Sequence, residues 1–539
     1  MNLWSLKNKS VLIVDDYDKM RLLIRQMIMP LGPGKVTMAR NGKEAIDLLE
    51  KYPFDIVLCD YKLGNGKDGQ QILEEARYRN LLSPASIFFI ITTENTSKMV
   101  MGAIDYLPDD YISKPFTQSQ IQTRLEKAFR RKAKLEEIAE TIVARNYFKA
   151  LGLCDQKLRE EAKGLSEIQK IKGDLLCKIG RLEEAERYYI NLLEGRNIPW
   201  IRLALGKVYF QKKDYPEAEV QFQSLVNENP AYVHALDGLA DTLEIQGELE
   251  RSQRILERAI DLSPKSPVRQ RKLGAVALQN GDYETAEEAY GNAILTGHNS
   301  CFGSLADLTG LTKSLIHQGK VQAALESIEK IRRNFKNNPD VHLYTTLSKS
   351  ILHRETDNPV ECGKSLGIVF KLLNNCAGAL HPEVALEIAQ TCLVLGNHEL
   401  LDKIVKQLIN NHSENEKLLD QVRALYEKAG KLAEANEIIE NTRKKIIKIN
   451  NEGVKLVQDD KLEQSINFFI QAAKGMPNNA TINFNAAYSM IRQMKRTHEK
   501  GKYFSLCHRF MEQGHKVDPD NQKYYQLLKL TEDLNNETA

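Results

Sequence analysis

A small residue returns at nearly fixed intervals through the middle of this chain: Ala185, Ala218, Ser252 and Ala286 stand 33, 34 and 34 residues apart. The surroundings repeat as well. They read Gly173…Gly180…Ala185…Tyr189, then Gly206…Asp214…Ala218…Phe222…Pro230, then Ala240…Gly247…Ser252…Leu256…Pro264, then Gly274…Gly281…Ala286…Tyr290. Such a period fits one helical hairpin per unit, each unit contacting mainly its neighbours. The small residues let the two antiparallel helices of a unit approach closely, and the aromatic fills the groove against the next unit. Weaker copies follow at Gly319…Ala324…Ile328, Gly396…Leu401, Gly430…Ala435 and Gly453…Ser465…Phe469…Ala472…Pro477. Val517-Asp518-Pro519 reads as a repeat end, with a capping helix over 524–534. The stretch 335–380 is helical but matches poorly. Eight to ten units are expected, in an array over 166–539.

The first 130 residues follow another rule. Short apolar runs at Val11–Val14, Asp55–Cys59, Ile87–Ile91 and Tyr111–Ser113, with Val36–Met38 as a further candidate, alternate with amphipathic stretches such as Met20–Ile28. Continuous apolar strands separated by helices predict a five-stranded, doubly wound parallel α/β sheet, with its site at the C-terminal strand ends. From about Thr117 the pattern turns helical. No Gly or Pro interrupts 116–151, which predicts one long helix, or two in tandem, that leaves the sheet domain and enters a helical linker over 131–165.

At 539 residues the chain is too long for one core. A hydrophobic fraction of 42% excludes wholesale disorder, and a net charge of +3 gives no case for nucleic acid or membrane binding. No run approaches the length needed to span a bilayer, and no signal peptide is apparent. The eight cysteines form no C-x-x-C pair, so buried reduced thiols are expected rather than zinc or disulfides. The cytosol is the expected location.

Four features stand in order at the predicted strand ends: Asp15-Asp16 after the first strand, Asp60 closing the third, Thr92 closing the fourth, and Lys114-Pro115 after the fifth. Together they resemble the CheY-like receiver domain of two-component signalling over residues 8–130. The period of the later region resembles the tetratricopeptide repeat.

The receiver resemblance implies that Asp60 is the nucleophile that takes a phosphoryl group from a phosphohistidine. It implies a Mg²⁺ held by Asp15 (mainly through water), Asp16, Asp60 and the Lys62 backbone carbonyl, since hard cations take oxygen ligands. Lys114 and the metal offset the charge of three crowded carboxylates, Thr92 hydrogen-bonds the phosphoryl oxygen, and Tyr111 follows it inward. Receivers often carry Met-Pro shortly after the phosphoacceptor. This chain has Tyr61-Lys62-Leu63-Gly64-Asn65-Gly66-Lys67-Asp68-Gly69, a more permissive loop. Lys62 and Glu94 occupy the two positions past which attacking water must move. Their opposite charges either pair as a gate or both point into solvent.

Several look-alikes fail. Neither Gly32–Lys35 nor Gly64–Lys67 has the spacing of a phosphate-binding loop, and the basic run at 130–132 is followed at once by Glu136, Glu137 and Glu140. The carboxylate clamp of chaperone-binding tetratricopeptide domains is absent, its positions being Leu203, Lys207, Asp237 and Asp241. Asp237, Asp241 and Glu244 read either as an acidic stripe for a basic peptide or as a solvated face. The reading is a response regulator that is not an enzyme beyond its own phosphotransfer and dephosphorylation. Its partners are a sensor histidine kinase or phosphotransfer protein and a protein bound by the repeats, with a homodimer left open. The rival readings are a scaffold using the receiver only for docking, and an enzyme site within 335–380.

Overall fold

Val11–Val14 is a run of apolar, mostly β-branched residues, and every one of them is buried. They form most of β1 (Ser10–Val14), which lies between β2 (Lys35–Ala39) and β3 (Ile56–Asp60); β4 (Ile87–Thr92) and β5 (Asp110–Ser113) complete the sheet. The order is β2-β1-β3-β4-β5 and every pairing is parallel. The computed structural model describes residues 6–64, 66–93, 108–160, 165–194, 198–373, 380–498, 501 and 503–537.

Strand side chains alternate between faces, so the sheet builds two cores. Leu12, Val14, Val57, Cys59, Phe88 and Ile90 pack with Ile46 and Leu49 of α2 (Gly42–Lys51) and Ile72 and Leu73 of α3 (Gly69–Tyr78). Val11, Ile13, Ile56, Leu58, Phe89 and Ile91 pack with Ile24 and Ile28 of α1 (Asp18–Ile28) and Ile121 and Leu125 of α4 (Gln118–Ala133). Covering on both faces is why the strands read as unbroken apolar runs.

The linker is not one helix. It breaks after α4 at Lys134, then runs as α5 (Glu136–Val143) and α6 (Tyr147–Glu160). Arg145 takes the left-handed conformation, φ 59°, and the Asn146 side chain accepts from Lys149 N at 3.2 Å. A side-chain cap and one residue in the left-handed region stop a helix without Gly or Pro.

The chain divides into two compact units, Met1–Gly310 and Leu311–Ala539. In the first, hairpins pair α7 (Ser166–Lys178) with α8 (Leu182–Leu193), α9 (Pro199–Gln211) with α10 (Tyr215–Glu228), α11 (Val233–Ile245) with α12 (Leu249–Leu262), and α13 (Pro267–Asn280) with α14 (Tyr283–Gly297). The recurrent aromatic is the wedge. Added Cβ atoms on Gly206 and Gly238 would both fall 2.7 Å from the Phe222 ring, and Tyr290 stands likewise against Gly274 and Gly310. Each ring therefore fills a groove made by its own unit and the next.

In the second unit the first five turn residues with positive φ are Gly319, Asp357, Gly396, Gly430 and Asp460. Counting from Gly281, their spacing is 38, 38, 39, 34 and 30, so the regular period has lapsed although hairpins continue. The described residues of the poorly matched stretch include two helices, Val341–Glu355 and Pro359–Leu373. There Cys362 Sγ contacts Ser350 O at 3.3 Å, across the same twelve residues that separate Ser252 Oγ from Ala240 O (2.9 Å) and Ser465 Oγ from Gly453 O (3.0 Å). Cys362 thus holds the place in its hairpin that Ser252 and Ser465 hold in theirs. Ala435 and Gly453, read as parts of separate copies, share one 27-residue helix, Leu432–Gln458, which has no Gly or Pro before Gly453.

Candidate functional site

Parallel strands deliver their last residues to one edge of the sheet. Asp15 and Asp16 follow β1, Asp60 and Thr92 end β3 and β4, and Lys114 follows β5. Backbone bonds fix these ends: Tyr61 N donates to Ile91 O at 2.8 Å, and Lys114 N to Thr92 O at 2.7 Å. Asp15, Asp60 and Thr92 are buried. The Lys114 ammonium lies 2.6 Å from Asp60 Oδ1 and 3.0 Å from Asp15 Oδ2, so one cation bridges two carboxylates.

Burial pushes the Asp60 carboxyl above its ordinary value; Lys114 pulls it back, while Asp15 and Asp16 add to the upward push. Burial alone draws the Lys114 ammonium down, but its hydrogen bonds and attraction to Asp60 and Asp15 leave it raised. The Asp16 carboxylate faces the following loop: a Cβ on Gly64, where φ is 63°, would fall 3.1 Å from Asp16 Oδ2. At the other end of that loop, a Cβ on Gly69 would fall 2.4 Å from Asp60 O. Asp68 then starts α3 with a reciprocal cap, accepting from Gln71 N while Gln71 accepts from Asp68 N. The loop is thus more tightly held at its ends than its glycines suggest.

Tyr111 is half-buried against the core on the α2–α3 face. Its hydroxyl is buried and has no hydrogen-bond partner among the described residues. Burial, with Tyr61 nearby, pushes that hydroxyl up to about 12. Lys62 is exposed; Glu94, the other half of the expected gate, lies outside the described residues. Asp15, Asp16, Asp60 and the Lys62 carbonyl supply the hard oxygen donors that Mg²⁺ prefers. Among the described residues, however, no three acidic, His or Cys side chains are drawn into a metal cage, and Lys114 bridges Asp15 and Asp60. The set fits a hard divalent cation in donor chemistry.

The repeats supply neighbours to this site that sequence reasoning missed. Lys265, in the turn before α13, donates to Tyr61 Oη at 3.3 Å, and Asn299 Nδ2 donates to Gly66 O at 3.0 Å. In the array, two residues of the expected acidic stripe are already paired within the chain. Arg269 of the next unit grips Asp237 at 2.7 and 2.8 Å, and Lys272 pairs with Asp241.

A five-stranded parallel domain with carboxylates and a lysine at its strand ends, continued by stacked helical hairpins, defines the class of receiver domains joined to a helical-repeat solenoid. The family model for the response regulator receiver domain matches residues 11–126, and that for the tetratricopeptide repeat matches 172–233, 203–267 and 238–300. Chemotaxis protein CheY-3 of Vibrio cholerae is 31% identical over 125 residues, 23% of this chain and 95% of that protein. Chemotaxis protein CheY of Pseudomonas aeruginosa is 28% identical over 121 residues, 22% of this chain and 96% of that protein. Among solved structures, a CheY-like receiver domain protein from Methanospirillum hungatei is 23% identical, with a TM-score of 0.22, covering 24% of this chain and 98% of that one. The chain belongs to the response regulator receiver family through its N-terminal domain, and carries tetratricopeptide repeats after it. Among the described residues, no helix is long and apolar enough to cross a membrane.

Proposed function

We propose that this protein is a two-component response regulator, phosphorylated on Asp60 by a histidine kinase or phosphotransfer protein, whose repeats bind a protein partner as the output. The observation that carries the reading is the Lys114 ammonium shared between Asp15 and Asp60 at the strand ends. Carboxylates crowded at one edge, Asp15 and Asp60 buried and Asp16 beside them, are costly unless they serve a cation or a charged ligand.

In the transfer, an Asp60 carboxylate oxygen bonds to phosphorus as the donor's P–N bond breaks; the imidazole leaves with the bonding pair. Lys114 offsets charge on the phosphoryl oxygens, and Thr92 offers its hydroxyl to one of them. Asp15, Asp16, Asp60 and the Lys62 carbonyl are the residues to hold Mg²⁺, which when bound supplies further charge compensation. Tyr111, with its hydroxyl inside, is the aromatic whose position reports the state of Thr92. Lys62 and Glu94 hold the two positions proposed to govern access of hydrolytic water.

Incubation with acetyl phosphate and Mg²⁺ tests the assignment. Phosphate should enter wild-type protein and not Asp60→Asn, and chelator should abolish it. Equal incorporation into Asp60→Asn would refute the nucleophile. No incorporation into wild type would favour the scaffold reading, in which the receiver only docks partners.

A further inference from the structure

The interval from Ala286 to Ala324 is 38 residues, four more than the period of the preceding units. The excess lies in the connection between α14 and α15 (Asp307–His317), which spans residues 298–306, whereas α12 and α13 are joined by only Ser263–Ser266. This longer connection is built rather than slack. Gly297 and Gly303 cross so closely that a Cβ on Gly303 would fall 2.0 Å from Gly297 O. Arg271 anchors it from α13, donating to Phe302 O at 2.9 Å and pairing with Asp307 at 2.5 Å.

What it presents faces the receiver. Asn299 makes two hydrogen bonds to the loop that follows Asp60: its Nδ2 donates to Gly66 O, and its backbone oxygen accepts from Lys67 Nζ at 2.7 Å. The Phe302 ring meets Tyr78 of α3 edge-on, with centroids 4.9 Å apart. On the neighbouring turn, Lys265 holds Tyr61, the residue after Asp60. Tyr61 in turn neighbours Tyr111, and both rings pack on the same core. By contrast, the helical route out of α4 is interrupted at Lys134 and again at Arg145, so it is a poor rod for transmitting motion.

We propose that residues 298–306 are a docking element by which the fourth repeat grips the loop after Asp60, and that phosphorylation of Asp60 loosens this grip. The coupling rests on the phosphoacceptor reading above. The reason for release is mechanical. The loop from Tyr61 to Gly69 carries the Lys62 carbonyl, and it is held from outside at Tyr61, Gly66 and Lys67. Repacking Tyr61 with Tyr111 around a phosphorylated Asp60 pulls on the Tyr61 bond to Lys265 and, through the loop, on those at Gly66 and Lys67. A grip of a few polar contacts and one aromatic pair is weak enough to be reset by such a change.

Cys301 lies inside the grip and reports on it. Burial pushes its thiol up to about 11, with Glu75 adding to that push and Lys67 opposing it. The full-length protein is treated with iodoacetamide, and alkylation at Cys301 is followed by peptide mass spectrometry. Half-buried Cys177, in α7, serves as the control for loosening of the repeats themselves. Tyr78→Ala, a change on the receiver side, should speed Cys301 alkylation by roughly tenfold, and Lys265→Ala should speed it several-fold; neither should move Cys177. Unchanged Cys301 rates in both variants would overturn the grip. Wild type is then treated with acetyl phosphate and Mg²⁺, and labelling of Asp60 is measured in the same sample. Faster Cys301 alkylation in labelled wild type, and not in Asp60→Asn, supports the coupling. Labelling without any change at Cys301 overturns the coupling and leaves the phosphoacceptor reading intact. Absence of labelling, with Tyr78→Ala still fast, overturns that reading and the coupling together.

Discussion

The backbone oxygen of Asp60 lies so near Gly69 that a Cβ there would stand 2.4 Å from it. This glycine lets α3 begin hard against the end of β3. Gly69→Ala must displace either the Asp60 carbonyl or the first turn of α3, and both are backbone. A destabilisation of about 1–3 kcal/mol is expected, with lowered phosphate incorporation at Asp60. Gly152→Ala, in open space on α6, should instead stabilise by about 0.5–1 kcal/mol. Thermal denaturation of the two variants side by side checks the contrast.

Lys114 and Asp60 should give stability effects of opposite sign. Lys114→Ala leaves Asp15 and Asp60 buried without their shared cation, and a loss of about 3–5 kcal/mol is expected. Asp60→Asn removes a carboxylate whose burial outweighs its ion pair, so it should raise the melting temperature at neutral pH. The sign follows from linkage: a carboxyl raised in the folded state binds its proton more tightly there than when unfolded. Wild type therefore gains on Asp60→Asn as pH falls through the raised value, and the gap between them should close.

The aromatic wedge should dominate the energetics of the first repeats. Phe222→Ala empties a groove shared by Gly206 and Gly238, and should cost about 3–5 kcal/mol. Gly247→Ala, at a turn with φ 82° and open space around it, should cost only about 1 kcal/mol. Urea denaturation followed by circular dichroism measures both.

Cys362 is expected to behave as a repeat's small residue and not as a reactive group. Cys362→Ser preserves a hydrogen bond to Ser350 O, as Ser252 and Ser465 do at their own positions, and should shift stability by less than about 1 kcal/mol. A large loss on this change would separate 341–373 from the other hairpins.

Arg269 is buried and fully committed to its own chain, donating to Asp237 and to Ser263 O. Asp237→Ala should leave that guanidinium short of a counter-charge and cost about 2 kcal/mol or more. A double-mutant cycle with Arg269→Met should show strong coupling. Additive effects would mean that the pair does not lock one unit to the next.

The sequence by itself determined the elements and the order of the chemistry. Unbroken apolar runs specified a sheet covered on both faces, and a parallel sheet must bring Asp15, Asp60, Thr92 and Lys114 to one edge. The 34-residue spacing of small residues specified stacked hairpins, because close helix approach leaves no room for side chains at those positions. What the sequence left undecided depends on groups far apart in the chain. Nothing local tells that Asp237 and Asp241 are already paired by the following repeat, since a charge on a helix face looks the same solvated or bridged. Nor does the run through 116–151 show where Arg145 turns left-handed, because that stop uses no Gly or Pro. Only the tertiary structure decided that Asn299 and Lys265 reach the loop after Asp60. The one trace of it along the chain is a period of 38 in place of 34, and a length alone does not say what the extra residues touch.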